Sequence, residues 1–361
     1  MRMQILVDSQ EFCESLRHDL LSSRDYSFIQ TLSFEGDSAG KMLASLLLSS
    51  KCADKRILVD SFTKFRLSDK LVYSPKNLFN SKLRREVRET TGMIEHLRKS
   101  GIGMRFTNPN GPLFMRAAAR NHKKLLVLDD RVAYVGGINF SEHNFYWHDM
   151  MLRIEDQGVA EFLKEDFLST WNGHNLNASR RFEGVEFHLL DGVSNEASFM
   201  PILGLLRNSK RRIWVESPYL TFPFSRILRE LRSNGVSVTI VTPEENNEKL
   251  LKECLLWESA RSDFDLRLYK GRMTHLKAIL IDDDFLLVGS ANFDYLSYHS
   301  QQEVVAVVSD PDVIQSFKER IVSKDLENSS VFDGKVNGLK GNLIHLGLRS
   351  LGKLATSLGK L

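Results

Sequence analysis

The chain has 361 residues, of which 42% are hydrophobic and 26% charged, so it can bury a large core as one domain or two. A net charge of +3 is too small to indicate nucleic-acid binding, and three distant cysteines, Cys13, Cys52 and Cys254, exclude a cysteine metal site and fit a reducing cytosol. No apolar run reaches the roughly 18 residues of a membrane span, and we expect neither a signal peptide nor a spanning helix.

In chain order, the sequence predicts two similar series of alternating strands and helices. The first series comprises a strand over 28–32, a helix over 38–50, a strand over 56–60, a helix over 81–99 and a strand over 102–106. The second series comprises strands over 213–216, 236–241 and 264–268 and helices over 224–233 and 244–261. The helix over 81–99 is basic, but the interleaved Glu86 and Glu89 favour an ordinary solvated helix over a contact with anionic lipid headgroups.

Both series end in the same way, with strands over 149–154 and 303–308 followed by helices over 159–171 and 311–322. Between them, the Asn-, Gly- and Ser-rich segment 172–181 is predicted to be a linker. The pattern indicates an α/β fold of two pseudo-symmetric halves, each a mixed β-sheet flanked by helices, with the sheets packed face to face. The predicted boundaries are 1–175 for the first half, 176–330 for the second half and 331–361 for a C-terminal tail.

One short motif occurs in both halves. It reads His-x-Lys-x4-Asp, and an Asn follows each His after 17 residues. The copies are His122, Lys124, Asp129 and Asn139 in the first half and His275, Lys277, Asp282 and Asn292 in the second. Alternate side chains of a strand share a face, so imidazole and ammonium would point the same way, while the aspartates fall at turns and are interpreted as structural partners. A single His-x-Lys is usually a solvated strand face, but its duplication indicates a site.

The apolar runs on both sides of each motif aspartate predict a hairpin in each half. In the first half, a two-residue loop at 130–131 would place His122 opposite Asn139 and Lys124 opposite Gly137. The corresponding pairs in the second half, with a loop at 283–284, are His275 with Asn292 and Lys277 with Ser290. This register is a hypothesis, because a slip by one residue reverses the faces.

Two such hairpins related by a pseudo-two-fold axis would bring two His, two Lys and two Asn side chains around one cleft at the interface of the halves. Ammonium and amide groups bind phosphate oxygens, and imidazole can act as nucleophile or acid. The pattern therefore predicts a site that holds a phosphate and exchanges a group on it. Because the lysines and asparagines would supply the charge stabilisation, we expect no metal and no cofactor.

The doubled motif resembles the phospholipase D superfamily and is most similar to that of bacterial cardiolipin synthases. The resemblance rests on segments 120–127, 136–140, 147–149 and 289–294 and on Glu303, and it extends over about residues 28 to 320. Two positions depart from the family pattern, since Leu296 stands where an Arg is usual and Gln301 where an Asn is usual. These departures leave the chemistry intact and bear on the acceptor.

The resemblance implies a two-step exchange in which His122 attacks phosphorus to form a phosphohistidine and His275 protonates the leaving alcohol. The acceptor then reverses these roles. Asp149 and Glu303 open equivalent predicted strands. The resemblance implies that each acid orients the histidine of the other half, Glu303 with His122 and Asp149 with His275.

The implied reaction is phosphatidyl transfer from one phospholipid to the hydroxyl of phosphatidylglycerol, which gives cardiolipin. Water as acceptor would make the protein a phospholipase D that releases phosphatidic acid. The modest charge and the lack of an aromatic-basic groove disfavour a nuclease of the same superfamily, so no nucleic-acid partner is expected. Two intact motifs disfavour an inactive lipid-binding scaffold. The sequence leaves the donor lipid, the acceptor and the oligomeric state open.

The predicted tail has no acidic residue from 338 to 361, and its leucines recur every three to five residues among basic residues. This composition is typical of a helix in an anionic membrane surface, although a helix docked on the protein's own core fits the pattern equally. Four glycines would each weaken a helix in water by roughly 1 kcal/mol, which favours ordering on lipid contact. We expect a cytoplasmic protein attached peripherally to the inner face of the cell membrane.

Overall fold

The computed structural model describes residues 1–111, 115–334 and 338–359. The chain divides into a first unit, Met1–Leu176, and a second unit, Asn177–Leu361. Each unit contains one large sheet of parallel and antiparallel strands with helices packed on it. The predicted mixed α/β fold is therefore confirmed.

The first unit is built on a seven-stranded sheet in the order β1-β9-β8-β7-β2-β3-β6. Its strands are β1 (Arg2–Val7), β2 (Tyr26–Thr31), β3 (Asp54–Asp60), β6 (Gly103–Thr107), β7 (Leu125–Leu128), β8 (Val132–Gly136) and β9 (Met150–Glu155), and a separate small ribbon holds β4 (Arg66–Leu67) and β5 (Lys70–Leu71). Its helices are α1 (Asp8–Ser22), α2 (Ser38–Ser49), α3 (Ser81–Lys99), α4 (Glu142–Tyr146) and α5 (Gln157–Trp171). Only β2, β3 and β6 pair in parallel.

The second unit repeats this plan in a nine-stranded sheet ordered β10-β11-β17-β16-β15-β12-β13-β14-β18. Its strands are β10 (Ala178–Phe182), β11 (Val185–Asp191), β12 (Arg212–Glu216), β13 (Ser237–Pro243), β14 (Asp265–Tyr269), β15 (Ala278–Ile281), β16 (Phe285–Gly289), β17 (Gln302–Val308) and β18 (Ser329–Val331). Its helices are α6 (Asn195–Arg207), α7 (Phe224–Ser233), α8 (Lys249–Ser262), α9 (Tyr295–His299), α10 (Pro311–Phe317), α11 (Ser323–Glu327) and α12 (Gly338–Gly359). Without its two edge strands, the order matches that of the first unit strand for strand.

The apolar runs around each motif form the middle of each sheet, where both faces of a strand are covered. Every residue of β7 and of β15 is buried, as expected of a continuous Leu, Ile and Val run rather than an alternating one. Helix starts follow local chemistry too: the carboxylate of Asp37 accepts the N–H groups of Ala39 and Gly40 and so fixes the start of α2. Both sheets thus hold their motif strands rigidly.

Two predicted boundaries are wrong. The segment 172–181 is not wholly a linker, because residues from Ala178 onward form β10, an exposed edge strand whose two solvated faces show no apolar alternation. The helix predicted over 244–261 begins only at Lys249. Asn246 holds the preceding residues in a loop, since its side chain donates to Pro218 O (2.8 Å) and accepts from the N–H of Glu248 (2.7 Å).

The tail predicted over 331–361 begins with Val331 in β18 and Phe332, whose N–H donates to Leu266 O (2.8 Å), so this start belongs to the second sheet. Its described helix is α12, which packs on α8 and α9 of its own unit. A Cβ atom added at Gly341 would come within 2.1 Å of the Trp257 ring, and one at Gly352 within 2.6 Å of the Tyr295 ring. The His345 ring also lies 5.2 Å from that of Trp257. The glycines therefore allow the helix to approach aromatic rings. This arrangement is the alternative in which the tail helix docks on the protein's own core.

The remainder of α12 keeps an exposed apolar side. Leu343, Leu346 and Leu354 are 64%, 55% and 57% exposed, and Lys353 is exposed beside them. Among the described helices, none combines the length and the hydropathy that crossing a bilayer requires.

Candidate active site

The first motif copy lies at the end of the central hairpin β7–β8. His122 and Lys124 are buried just before β7, and the Lys124 ammonium donates to the backbone O of His122 (2.7 Å). The preceding Asn121 is held from two sides, because its N–H donates to Asp60 (2.6 Å) and its side-chain oxygen accepts from Gln30 (2.8 Å). The histidine is thus presented from a fixed backbone.

The predicted hairpin register is wrong by one residue in both units. Leu128 pairs with Val132, so the loop has the three residues 129–131, and the second hairpin pairs Ile281 with Phe285 around 282–284. Asp129 adopts a left-handed conformation (φ 51°) and cannot continue the ladder. Because the paired strands start only at Leu125, the predicted pairing of His122 with Asn139, and equally of His275 with Asn292, does not exist.

The motif aspartates clamp each hairpin to the start of the first parallel strand. Asp129 accepts the backbone N–H groups of 24–26 at 3.0–3.1 Å. Asp282 accepts those of 210–212 at 2.7–2.8 Å and the Ser209 hydroxyl at 3.0 Å. Burial opposes ionisation of Asp282, but these donors outweigh it and lower the pKa of its carboxyl below the usual 3.8. Both residues act at the hairpin end away from the histidine.

The second copy shows a direct contact between its lysine and its histidine. The Lys277 ammonium lies 2.9 Å from His275 Nδ1 and also donates to the backbone O of His275, and the Tyr219 ring stands edge-on to the imidazole at 6.1 Å. An ammonium can only donate, so Nδ1 accepts and the imidazole is neutral with its proton on Nε2. An imidazolium would repel the lysine at this distance.

The two motif asparagines differ in their surroundings. The Asn139 oxygen accepts from Thr31 (3.3 Å) and from the N–H of Ser33 (3.4 Å), and its amide donates to Asn144 (2.8 Å). Asn292 is equally buried, yet its side-chain oxygen has no hydrogen-bond partner among the described residues. An unpaired buried acceptor is costly, and the described residues satisfy Asn139 but leave the Asn292 oxygen unsatisfied.

The predicted orienting acids occupy equivalent positions beside their sheets. Gly137 N–H donates to Met150 O, and Ser290 N–H to Val304 O, which aligns Asp149 with Glu303. The Asp149 carboxylate lies directly over Gly137, where an added Cβ would come within 2.2 Å of its oxygen.

Glu303 is fully buried and bound by two hydroxyl groups, those of Ser290 (2.5 Å) and Ser297 (2.8 Å). Glu303 beside Ser290 in the second unit thus corresponds to Asp149 over Gly137 in the first.

Sequence reasoning missed Ser297 and Asp294 as parts of this acid's environment. Asp294 begins α9 by accepting the Ser297 N–H (2.9 Å), which fixes the hydroxyl that reaches Glu303. Burial, with a further contribution from Glu303, raises the pKa of Asp294 to about 6. An Asp followed by Ser three residues later is a recognisable helix start and could have placed Ser297 at this turn.

Comparisons with known proteins bear on the family and the fold of the chain. A family model described as cardiolipin synthase, PLD-like domain, matches residues 16–171 and 202–324. Cardiolipin synthase 1 of Staphylococcus epidermidis is 24% identical over 93% of this chain and 70% of its own length. The major cardiolipin synthase of Bacillus subtilis is 23% identical over 89% and 69%. A phosphatidylserine synthase from Haemophilus influenzae, 13% identical, shares the fold with a TM-score of 0.70 over 98% of this chain and 93% of its own.

Proposed function

Because the chain belongs to the family of phospholipase D-like domains described as cardiolipin synthase, we propose that it is a phosphatidyltransferase that makes cardiolipin from phosphatidylglycerol through a phosphohistidine. Residues 1–175 and 176–330 would be its two catalytic halves. The observation that carries the proposal is the paired placement of a buried His and Lys beside the central hairpin of both sheets. One histidine alone could not act as nucleophile and acid in the same step.

In the first step, the neutral imidazole of His122 attacks phosphorus, the P–N bond forms and the P–O bond to the leaving glycerol breaks. His275, as an imidazolium, gives its proton to the departing oxygen. In the second step, the hydroxyl of another phosphatidylglycerol attacks the phosphohistidine, the new P–O bond forms, the P–N bond to His122 breaks and the hydroxyl proton passes to His275. Lys124 and Lys277 neutralise the nonbridging oxygens, where charge develops in the transition state.

The contact between Lys277 and His275 supports a role for the substrate in switching this histidine on. While Lys277 occupies Nδ1, the imidazole cannot take the second proton that an acid needs. A phosphate anion attracts the ammonium more strongly than a neutral nitrogen does. Substrate binding therefore frees Nδ1, which takes up a proton from solvent, and an acid such as Asp149 can then stabilise the imidazolium, the pairing that the family resemblance implies.

The decisive experiment incubates the purified protein with labelled phosphatidylglycerol and separates the lipid products. Cardiolipin with released glycerol supports the proposal, phosphatidic acid indicates the hydrolase, and unchanged lipid contradicts both. Mass spectrometry of the quenched protein should find an acid-labile phosphatidyl group on His122. The same adduct on His275 would reverse the two assignments, and no adduct on either would exclude the covalent route.

The exposed side of α12 supports peripheral attachment to an anionic membrane at the inner face of the cell membrane. Leu343, Leu346 and Leu354 would enter the interface while Lys353 meets phosphate groups. Deleting the tail would uncover Trp257, so the sharper variant replaces the three leucines by Ser. It should sediment less with phosphatidylglycerol vesicles yet turn over detergent-dispersed lipid normally. Unchanged sedimentation would leave α12 a structural helix.

A further inference from the structure

The segment 61–80, here called the insert, gives the first unit a feature that the second lacks. It joins β3 to α3, whereas only 244–248 join β13 to α8 at the equivalent place. Its root is beside the motif, because Asp60 at the end of β3 accepts the N–H of Asn121 (2.6 Å) and a guanidinium N–H of Arg120 (3.1 Å). The insert therefore starts at the sheet end that carries His122.

The insert is a folded platform rather than a loose loop. Leu67, Val72 and Leu83 form a small buried cluster of their own. Hydrogen bonds fix its turns: the Asn77 amide donates to Leu71 O (2.9 Å) and the N–H of Val72 to Phe65 O (2.8 Å). Side chains on its outer surface are consequently presented in defined positions.

The outer surface of the insert is apolar to a degree that is unusual for a solvated turn. Leu71, Tyr73, Leu78 and Phe79 are 56%, 57%, 40% and 95% exposed. Four large exposed apolar side chains within the nine residues 71–79 indicate an interaction surface, whereas single ones scattered over a protein do not. Phe79 projects into solvent from a fixed position, because the backbone O of its neighbour Leu78 accepts a hydrogen bond from Arg84 (3.0 Å).

Positive charge surrounds these apolar side chains. No acidic residue occurs between 70 and 85, and the basic residues of this stretch are Lys70, Lys76, Lys82, Arg84 and Arg85. Four of them, Lys70, Lys76, Lys82 and Arg85, are exposed. Aromatic and aliphatic side chains rimmed by lysines match an anionic lipid surface, where the rings enter the interface and the ammonium groups meet phosphates.

We propose that the insert docks on the surface of an anionic phospholipid membrane, with Phe79 in the interface, and so turns the His122 end of the first sheet toward its lipid substrates. The proposal rests on the proposed function for its purpose, but its physical test requires no turnover. A protein partner is disfavoured, since lysine is depleted in protein–protein interfaces and exposed lysines occur throughout this stretch.

A local fluorescence reporter tests the docking. Phe79→Trp should shift its emission to shorter wavelength when phosphatidylglycerol vesicles are added, after subtraction of the wild-type spectrum with its four tryptophans. Leu21→Trp is the matched control, because Leu21 is also exposed in the first unit but lies at the opposite sheet end, near the Asp129 clamp. No shift for Phe79→Trp, or an equal shift for Leu21→Trp, overturns the proposal.

The electrostatic part has its own test. Lys76→Glu combined with Lys82→Glu in the Phe79→Trp background should raise the lipid concentration at half-maximal shift by about tenfold or more. Phosphatidylcholine vesicles should give little shift. Equal midpoints on the two lipids, or a shift that depends on protein concentration without vesicles, would overturn an anionic membrane as the occupant. A protein that docks but makes no cardiolipin would refute the proposed function alone.

Discussion

The two motif copies share their construction and differ in the chemistry around their acids. Both hairpins carry a three-residue turn clamped by an aspartate, and both place a lysine within reach of its own histidine's backbone oxygen. In the first unit, Asp149 lies over a bare glycine and Asn139 is fully paired. In the second, Glu303 is bound by two hydroxyl groups and the Asn292 oxygen is unpaired.

This difference indicates that the scaffold constrains the turns and strands, whereas the catalytic ends are free to take separate roles. A two-step exchange needs such inequality, because the nucleophile and the acid must carry different numbers of protons at the start. Substitutions in each copy can show whether the two copies differ in function as well as in geometry.

The largest effect is expected from removing either histidine. His122→Ala and His275→Ala should each lower turnover by about 10^4-fold or more, and the double variant should be no worse than either, because the two act as one unit. Labelled phosphatidylglycerol provides the assay. His18→Ala, which removes an exposed histidine of α1, is the control. Substantial turnover in one single variant would mean that one copy suffices.

A methyl group tests the two acid environments directly. Gly137→Ala should lower turnover by about a hundredfold, because its Cβ would collide with the Asp149 carboxylate. Ser290→Ala should cost about tenfold, since it removes one of two hydroxyl donors from buried Glu303. Turnover and thermal unfolding of both variants would be compared. Equal losses would show that the two environments are equivalent.

The aspartate clamps should affect stability more than chemistry. Asp282→Asn should reduce the free energy of unfolding at pH 7 by about 1–3 kcal/mol, because it weakens four hydrogen bonds. The lowered pKa of Asp282 means that this contribution is present above the unfolded-state pKa of roughly 3.9 and disappears as the pH falls through the lower folded-state value. Urea unfolding at pH 7 and pH 3 measures the gap to wild type, and a gap of constant size would contradict the linkage.

The smallest effect should come from Asp294→Ser, which installs the residue that the first unit has at the equivalent position, Ser141. Burial raises the pKa of Asp294 to about 6 in the folded state. Its protonated form therefore contributes stability that is fully present below the unfolded-state pKa of roughly 3.9 and is lost as the pH rises through 6. The variant should therefore remove a decline in stability between pH 4 and 6, and should keep most of the helix capping, because Ser and Asp are about equally good N-caps. Thermal unfolding across this range would show both, and an unchanged pH slope would exclude Asp294 as its source.

Most of the strands could be predicted from the sequence because their apolar runs are long and buried. Helix α7 and helix α3 begin and end at the predicted residues. The hairpin register could not be predicted, since it depends on backbone N–H groups that lie about a hundred residues from Asp129 along the chain. The β1 and α1 elements escaped notice as well, because they precede the segment of family resemblance.

Within the candidate site, duplication predicted the His, Lys, Asp and Asn positions, and chemistry gave a reason for their types. The hydroxyl groups of Ser290 and Ser297 on Glu303 could not be inferred, because they meet that acid through the return of β17 beside β16. The difference in hydrogen bonding between Asn139 and Asn292 could not be predicted from the sequence either. Both follow their histidines at the same spacing, and only tertiary contacts separate them.

The aspartate clamps restrict where the connections between strands and helices can change in length. At the clamped ends, the connections hardly vary between the units: 129–131 corresponds to 282–284, and 100–102 to 263–264. At the histidine ends two connections differ widely in length, since 61–80 corresponds to 244–248 and 108–124 to 270–277. Added length should therefore be compatible with folding at the histidine ends, away from the motif residues themselves, whereas even one added residue in a clamped turn would displace the carboxylate from the N–H groups that it holds.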